Sequence, residues 1–158
     1  MAGRCYDNSN RFVDCGNGTV TDTQTGLIWL KNPGCYPLMD YASANNAVAG
    51  LHSGECGLTD GSVVGIWRLP TQWEWGAMLK ASCGGLGRST LPDRTGFDCF
   101  DTSPTSQWAT GVQRYGYWSS VISSEILGAA FYASLEFGYV DYLSRTTLFF
   151  AWPVRAGN

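Results

Sequence analysis

The chain has 158 residues and a formal net charge of −3; 44% of its residues are hydrophobic, 14% aromatic and 15% charged. A chain of this size can bury a substantial core, so we predict one globular domain over residues 1–158. The negative charge disfavours nucleic acid and anionic membranes as partners, and no apolar run is long enough for direct membrane insertion.

The first predicted elements are three strands of a β meander, which begin at Phe12 and continue over residues 19–22 and 27–30. Between the first two strands lies Asn17-Gly18, a strong hairpin signal because both turn positions tolerate positive φ. The stretch therefore indicates antiparallel strands near the N-terminus.

A first helix is predicted to follow. Asp40 can cap it, and apolar residues recur at helical spacing after that position, namely Tyr41, Ala44, Val48 and Leu51. Gly54 is the expected stop, and the turn-rich residues 57–65 are expected to form a surface loop.

A short strand over residues 67–71 is predicted to lead into a second helix. Thr71 and Glu74 form a capping box, and the core-facing positions after it are Trp75, Met78 and Leu79. Arg68 is the one charge in this apolar segment, and we predict that it is a structural hydrogen-bond hub rather than a catalytic group.

Residues 82–115 show no clear helical or strand periodicity, which is a long stretch for a compact domain. Such a segment is usually functional or tied by disulfides, and Cys83 and Cys99 lie inside it.

Six cysteines are spread along the chain without a CxxC pair, and with a single histidine they do not favour a zinc site. Disulfides formed in an oxidising compartment explain them better. The simplest pairing is sequential: Cys5–Cys15, Cys35–Cys56 and Cys83–Cys99. Spacing does not determine the connectivity, and buried free thiols are the alternative.

The tail, residues 118–155, carries the predicted terminal sheet. Apolar positions alternate with Tyr132, Ser134 and Glu136, which is the period of a half-buried strand. Gly138 is expected to turn the chain into a second strand over residues 139–143, and a third is predicted over 148–154. The order of elements predicts an α+β fold in which the two chain ends pair.

The same tail places many apolar side chains where loops and water-facing positions are expected. A contiguous exposed apolar patch usually marks a binding surface, whereas burial in the core is the alternative explanation. The predicted scaffold residues are Trp118, Phe131, Leu135, Val140, Trp152 and Arg155. The predicted ligand-binding face comprises Ile122, Ser123, Ile126, Leu127, Tyr132, Ser134, Phe137, Tyr139, Asp141, Tyr142, Leu143, Ser144, Leu148, Phe149 and Phe150.

The sequence gives little support for catalysis or metal binding. We therefore expect that the protein is not an enzyme and that it binds no cofactor or metal. His52 is the only histidine and lies in a Gly-rich loop, where a Ser-His-Asp arrangement is improbable. Calcium needs clustered oxygen ligands, and the spacing of the best candidates, Asp93, Asp98 and Asp101, matches no known calcium loop.

Five motifs stand in an order that resembles the DUF1566 family, which includes the C-terminal domain of the Legionella collagen-like adhesin. They are Gly18-Thr19-Val20-Thr21-Asp22, Thr25-Gly26-Leu27-Ile28-Trp29, Trp67-Arg68-Leu69-Pro70-Thr71, Tyr117-Trp118-Ser119-Ser120 and Trp152-Pro153-Val154-Arg155. The resemblance covers nearly the whole chain. It implies a C-type lectin-like fold, with two helices, a small antiparallel sheet and long loops, and a bacterial or phage surface adhesin or ligand-binding module.

The tail also resembles the variable proteins of diversity-generating retroelements. In those systems template adenines are randomised, so AAC codons vary at their first two bases and never encode Lys, Met, Gln, Glu or Trp. Residues 119–150 contain no Lys, Met, Gln, Trp or Asn, although Glu125 and Glu136 depart from the set. This resemblance implies a variable region within residues 118–155.

The predicted function is therefore ligand binding by a secreted or cell-surface protein of bacterial or phage origin, with no leader segment in this chain. The tail is poor in the Asn, Asp and Arg that surround glycan sites, which favours a protein ligand on another cell or on a phage host surface. The alternative is an undiversified adhesin that binds glycans, either sulfated polysaccharide or another carbohydrate.

Overall fold

The protein has an α+β fold with two helices and two small antiparallel sheets, as predicted; the computed structural model describes residues 1–157. Asn158, the last residue of the predicted domain, lies outside the described residues. The helices are α1 (Tyr41–Ala49) and α2 (Gln72–Met78), and the strands are β1 (Phe12–Asp14), β2 (Thr19–Asp22), β3 (Ile28–Leu30), β4 (Gly116–Ile122), β5 (Ala129–Ser134), β6 (Tyr139–Ser144) and β7 (Val154–Arg155).

The first sheet has the order β1-β2-β3-β7, so the predicted meander is confirmed. Gly18 adopts a φ of +84° in the predicted hairpin turn, and a Cβ there would lie 2.4 Å from the Gly57 carbonyl oxygen. Both requirements select glycine. β7 pairs antiparallel with β3, and Arg155 Nη2 donates to the Ala2 carbonyl at 2.6 Å. The two chain ends therefore meet, as expected.

The second sheet has the order β4-β5-β6, and the predicted β5–β6 pair is confirmed. The prediction of a strand over residues 148–154 is wrong. Only Val154–Arg155 forms a strand, and it joins the first sheet, while Phe149 and Phe150 make single bridges to Met39 and Tyr117. The segment passes from one sheet to the other because fully buried Trp152 anchors it in the core.

The helices begin where the sequence predicts. The Asp40 carboxylate accepts from the Ser43 backbone N–H at 2.9 Å. The first helix ends at Ala49 rather than at Gly54, because the chain turns there and places Leu51, which is 1% exposed, in the core.

The predicted capping box of Thr71 and Glu74 is present at the start of α2, which carries Trp75 and Met78 into the core. Arg68 makes a single β-bridge with Val154 in place of the predicted strand. Its guanidinium donates to both Glu74 carboxylate oxygens, at 2.7 and 2.9 Å, and to the Leu69 carbonyl. Arg68 is thus the hydrogen-bond hub that the sequence predicts, because it ties the preceding segment to the helix cap.

Aromatic rings fill the core between the two sheets and α2. Trp152 lies at their centre, with ring centroids of Trp29, Trp75, Trp108 and Tyr117 at 5.6, 6.1, 5.4 and 5.8 Å. The indole N–H of Trp152 donates to the Leu30 carbonyl at 2.8 Å, which satisfies the buried polar atom.

All six cysteines form disulfides in the predicted sequential pairing: Cys5–Cys15, Cys35–Cys56 and Cys83–Cys99. The last of these pairs ties the loop over residues 82–115, which has a 3-10 turn, Ala81–Cys83, at its start. Constraint of otherwise irregular segments is the usual structural use of disulfides.

Candidate functional site

The second sheet ends in an edge strand. β6 pairs with β5, and within the described residues no other strand pairs with it. Asp141 Oδ1 accepts from the Tyr142 backbone N–H at 2.8 Å. A charged side chain on an edge strand disfavours uncontrolled strand pairing.

Seven large apolar side chains of the tail are exposed, by fractions between 44% and 99%. They are nearly half of the sixteen such residues among residues 1–157, although residues 119–150 are only about a fifth of that length. We call this set the tail surface: Ile122, Ile126, Leu127, Phe137, Tyr139, Leu143 and Leu148.

The strand register places several of these residues together. Ile122 and Leu143 both pair with Ala130 of the central strand, so the three side chains lie in one row on one face of the sheet. The rings of Phe137 and Tyr139 are parallel, with centroids 6.3 Å apart. The turn that carries Leu127 is joined to the end of β6 by a backbone hydrogen bond from Arg145 to Gly128 at 2.9 Å.

Four residues expected in the ligand-binding face are buried instead: Ser123 (8% exposed), Tyr132 (7%), Ser134 (6%) and Phe149 (6%). Tyr132 is buried by the Phe149 ring, which stacks on it at 4.4 Å and packs against Trp118 at 4.9 Å. The two serine hydroxyls lie in turns, where Ser123 accepts from the Ile126 backbone N–H and Ser134 from the Phe137 backbone N–H. A Cβ on Gly116 would lie 2.3 Å from the Phe149 ring, so glycine is required beneath it. Phe149 therefore covers the middle of the face that the sequence predicts to be open.

The remaining predicted face residues lie at its borders. Asp141 and Ser144 are exposed, whereas Tyr142 is half-buried, with its ring 5.6 Å from that of Phe131. Phe150 is half-buried against the core and contacts the ring of Tyr117 at 5.6 Å. The predicted scaffold residue Phe131 is also only half-buried, and it pairs with Tyr142 of the edge strand.

Hydroxyl groups give the tail surface its polar features. The Tyr132 hydroxyl donates to the Tyr139 hydroxyl at 3.5 Å. Burial, and then the neighbouring Tyr139, raise the pKa of Tyr132, so its phenol is neutral at physiological pH. The tail surface therefore combines apolar side chains with the hydroxyl of Tyr139, a composition typical of protein-recognition surfaces.

Sequence reasoning missed two neighbours of this surface, Leu38 and Tyr115. They line a shallow groove with Gln113, Arg114 and Phe150. Tyr115 is 47% exposed and contacts Phe149 and Phe150 edge-on. No periodicity marks either residue, since both lie in irregular segments.

Residues considered for other chemistry occupy loops. His52 Nδ1 lies 2.8 Å from the Ser53 carbonyl, and Nε2 lies 3.5 Å from Glu55. Asp93 accepts three hydrogen bonds from its own turn, and Asp101 accepts from Ser103 and Ser106. Over residues 1–157, no group of three or more His, Cys, Asp or Glu is arranged to hold a metal ion. Within the same range, no helix has the length and apolar character of a membrane span.

Comparison with known proteins gives one family. The family model of the Lcl C-terminal domain matches residues 18–155. No curated protein and no solved structure matches the chain significantly.

Proposed function

The chain belongs to the Lcl C-terminal domain family, and on that premise we propose that it is a ligand-binding module of a surface protein whose contact region is the tail surface. Three disulfides favour an oxidising compartment such as the cell exterior. The proposed activity is binding rather than catalysis, and the proposed architecture is C-type lectin-like.

The observation that carries the proposal is the concentration of exposed apolar side chains on the tail. Leu127 is 99% exposed, Phe137 64% and Leu148 52%, and none of these exposed positions contributes substantially to the core. Folding alone gives no reason for apolar residues at such positions, because polar residues are more soluble there. Binding does give a reason, since apolar contacts supply most of the energy of an interface core.

A protein ligand fits this surface better than a glycan. Rigid strands and tyrosine side chains offer contact area at low conformational-entropy cost, as in antibody paratopes. The exposed residues include few of the amide and charged groups that saccharide hydroxyls need. The proposed ligand is therefore a protein on another cell or on a phage host surface.

We also propose that a retroelement diversifies this surface. The exposed residues of the predicted face are Ile, Leu, Phe, Tyr, Asp and Ser, all of which codons ending in C can encode. The large buried residues of the neighbouring scaffold, such as Trp118 and Trp152, are of a type that such codons never encode. If only exposed positions vary, the core is unchanged. The fold can then remain stable with many different side chains on its surface.

The coding DNA tests the diversification. We expect the codons of Ile122, Ile126, Leu127, Phe137, Tyr139, Asp141, Leu143 and Leu148 to end in C, and an adenine-rich near-copy of the segment to lie beside a reverse-transcriptase gene. Codons for exposed residues outside the tail, such as Leu86 and Val63, serve as the comparison. If the third bases of these tail codons are mixed and no near-copy is present, the protein is an undiversified adhesin.

Replacing the seven residues of the tail surface together with serine or asparagine is expected to abolish ligand capture while the melting temperature stays nearly unchanged. A substitution at an exposed position changes stability by at most roughly 0.5 kcal/mol in either direction, so the changes at seven positions partly cancel. The measurement pairs a thermal melt with a pull-down of labelled surface proteins and a glycan array. We expect the wild type to capture a surface protein and the variant without the tail surface to lose this capture.

Two controls accompany this variant. Serine replacement of Leu86, Val63 and Val64, which are exposed outside the tail, should leave capture unchanged. Phe149→Ala, in contrast, should destabilise the fold by about 3–5 kcal/mol because its ring is buried. If the tail variant unfolded, the seven residues would be core; if it captured surface proteins like the wild type, the tail surface would not be the binding site.

A further inference from the structure

A second cleft lies at the open end of the β1–β2 hairpin, far along the chain from the tail surface. Three segments line it, residues 6–11, 23–24 and 95–97, and its volume is about 380 Å³. This volume lies at the lower end of the range for small-molecule sites, which is roughly 300–1,000 Å³. The cleft shares no residue with the tail surface.

Two aromatic side chains stand exposed at this cleft. Phe97 is 83% exposed and Tyr6 is 61% exposed. The face of an aromatic ring carries negative charge density. It therefore attracts C–H groups that carry partial positive charge, such as those on one face of a pyranose ring.

The segments that carry these rings are held in place. The Cys5–Cys15 disulfide closes the first segment, and within it the Asp7 carboxylate accepts from the backbone N–H groups of Ser9 and Asn10 at 3.0 and 2.9 Å. In the opposite segment, Thr95 Oγ1 donates to Asp93 at 2.6 Å and accepts from the Phe97 backbone N–H at 3.1 Å. Fixed walls reduce the entropy lost on binding.

Among the described residues, the lining of the cleft has neutral polar groups without a hydrogen-bond partner and no unpaired cation. Asn8 and Gln24 are exposed, and their side-chain amides make no hydrogen bond to any residue in the range 1–157. Arg11, the one charged residue of the lining, is bound to both Asp22 carboxylate oxygens at 2.9 Å. Hydrogen bonds from Asn10 and Ser9 lower the pKa of nearby Asp7 to about 2, so that carboxylate is ionised and disfavours anions.

We propose that this cleft binds a neutral saccharide. Phe97 and Tyr6 provide the stacking platforms, and the amides of Asn8 and Gln24 each present a donor and an acceptor, which matches a pair of neighbouring sugar hydroxyls. The absence of a free cation within this lining and the nearby Asp7 charge select against sulfated or otherwise anionic saccharides. The proposal goes beyond the tail-surface function and does not depend on it.

A nuclear magnetic resonance titration of the uniformly ¹⁵N-labelled protein tests the site. The probes are maltotriose, tri-N-acetylchitotriose, lactose and mannotriose, with a heparin tetrasaccharide as the anionic comparison. We expect saturable shifts of the backbone amides of residues 6–10 and 95–97 with at least one neutral probe at millimolar concentration. The heparin fragment should leave these amides unmoved.

Substitutions then assign the contacts. Phe97→Ala is expected to weaken binding of the neutral probe at least about tenfold, because a stacking aromatic side chain is a typical hot spot. Gln24→Ala should weaken it several-fold. Leu86→Ala is the matched control, since Leu86 is 91% exposed in another part of the same long loop and should bind like the wild type.

Three results would overturn the proposal: no shift at the cleft with any of the four neutral probes, an unchanged affinity of Phe97→Ala, or stronger binding of the heparin fragment at these amides. Because the tail surface is untouched by Phe97→Ala, protein capture by that variant reports separately on the tail.

Discussion

Replacing Trp152 with alanine is expected to lower the free energy of unfolding by about 3–5 kcal/mol, the usual cost of truncating a buried aromatic side chain. Trp152 is fully buried and contacts the aromatic rings of both sheets and of α2. The substitution also leaves the buried Leu30 carbonyl without its indole donor. In a protein of this size, such a loss lowers the melting temperature by roughly 6–20 °C.

Trp73→Ala is the matched control for this prediction. Trp73 has the same side chain but is 70% exposed on α2, so its loss should stay within roughly 0.5 kcal/mol. Denaturant unfolding with the disulfides intact, followed by near-ultraviolet circular dichroism, measures both variants. Similar losses for the two tryptophans would contradict the central position of Trp152.

Replacing Asp60 with asparagine is the second substitution with a large expected effect, about 3–5 kcal/mol, because it breaks a buried ion pair and leaves the partner charge uncompensated. Asp60 Oδ2 lies 3.0 Å from Arg155 Nη2, and both side chains are fully buried. Ser62 Oγ donates to the other carboxylate oxygen at 2.7 Å and accepts from the Trp67 indole. The loss therefore disturbs a connected network that ties the C-terminus to the loop over residues 57–65.

Asp14→Asn provides the comparison, since the Asp14–Lys31 pair is exposed, with side-chain exposures of 43% and 39%. Exposed pairs contribute up to about 1 kcal/mol. Denaturant unfolding at neutral pH should therefore separate the two variants clearly. An equal loss would mean that the Arg155 charge is compensated without Asp60.

Acid pH should reduce the difference between the wild type and Asp60→Asn. Burial by itself raises the pKa of Asp60, but hydrogen bonds from Ser62 and Arg155 outweigh burial and hold the pKa below its ordinary value of 3.8. A depressed folded-state pKa contributes stability above the unfolded value, and this contribution is lost as the pH falls through the folded value. The asparagine variant lacks this contribution at every pH.

Local signals in the sequence predicted most of the elements correctly. The Asp40 cap, the Thr71–Glu74 capping box and the Gly18 turn each depend on groups a few residues apart. Such interactions are largely independent of the rest of the fold, so a short stretch of sequence carries enough information to place them.

The alternation of apolar and polar residues gave a wrong prediction of exposure for β5, and the reason is physical. Tyr132 and Ser134 alternate with apolar positions and were expected to face water. An alternating pattern identifies the two faces of a strand but not whether a second layer covers the polar one. Here Phe149 covers Tyr132, and α2 also packs against β5, so every residue of the strand except half-buried Phe131 is buried.

The sequence by itself therefore determined the family, the α+β class and the helix caps, because each is expressed in residue identities or short spacings. The sequential disulfide pairing was only the simplest of several possibilities until the structure showed it. Only the tertiary structure decided which apolar residues of the tail meet solvent. That outcome depends on where the segment after β6 crosses the sheet, which is fixed by the burial of Trp152 in a core built from both ends of the chain. Local periodicity contains no information about contacts between such distant segments. Leu148 and Phe149 are adjacent and equally apolar, yet Leu148 is exposed and Phe149 is buried.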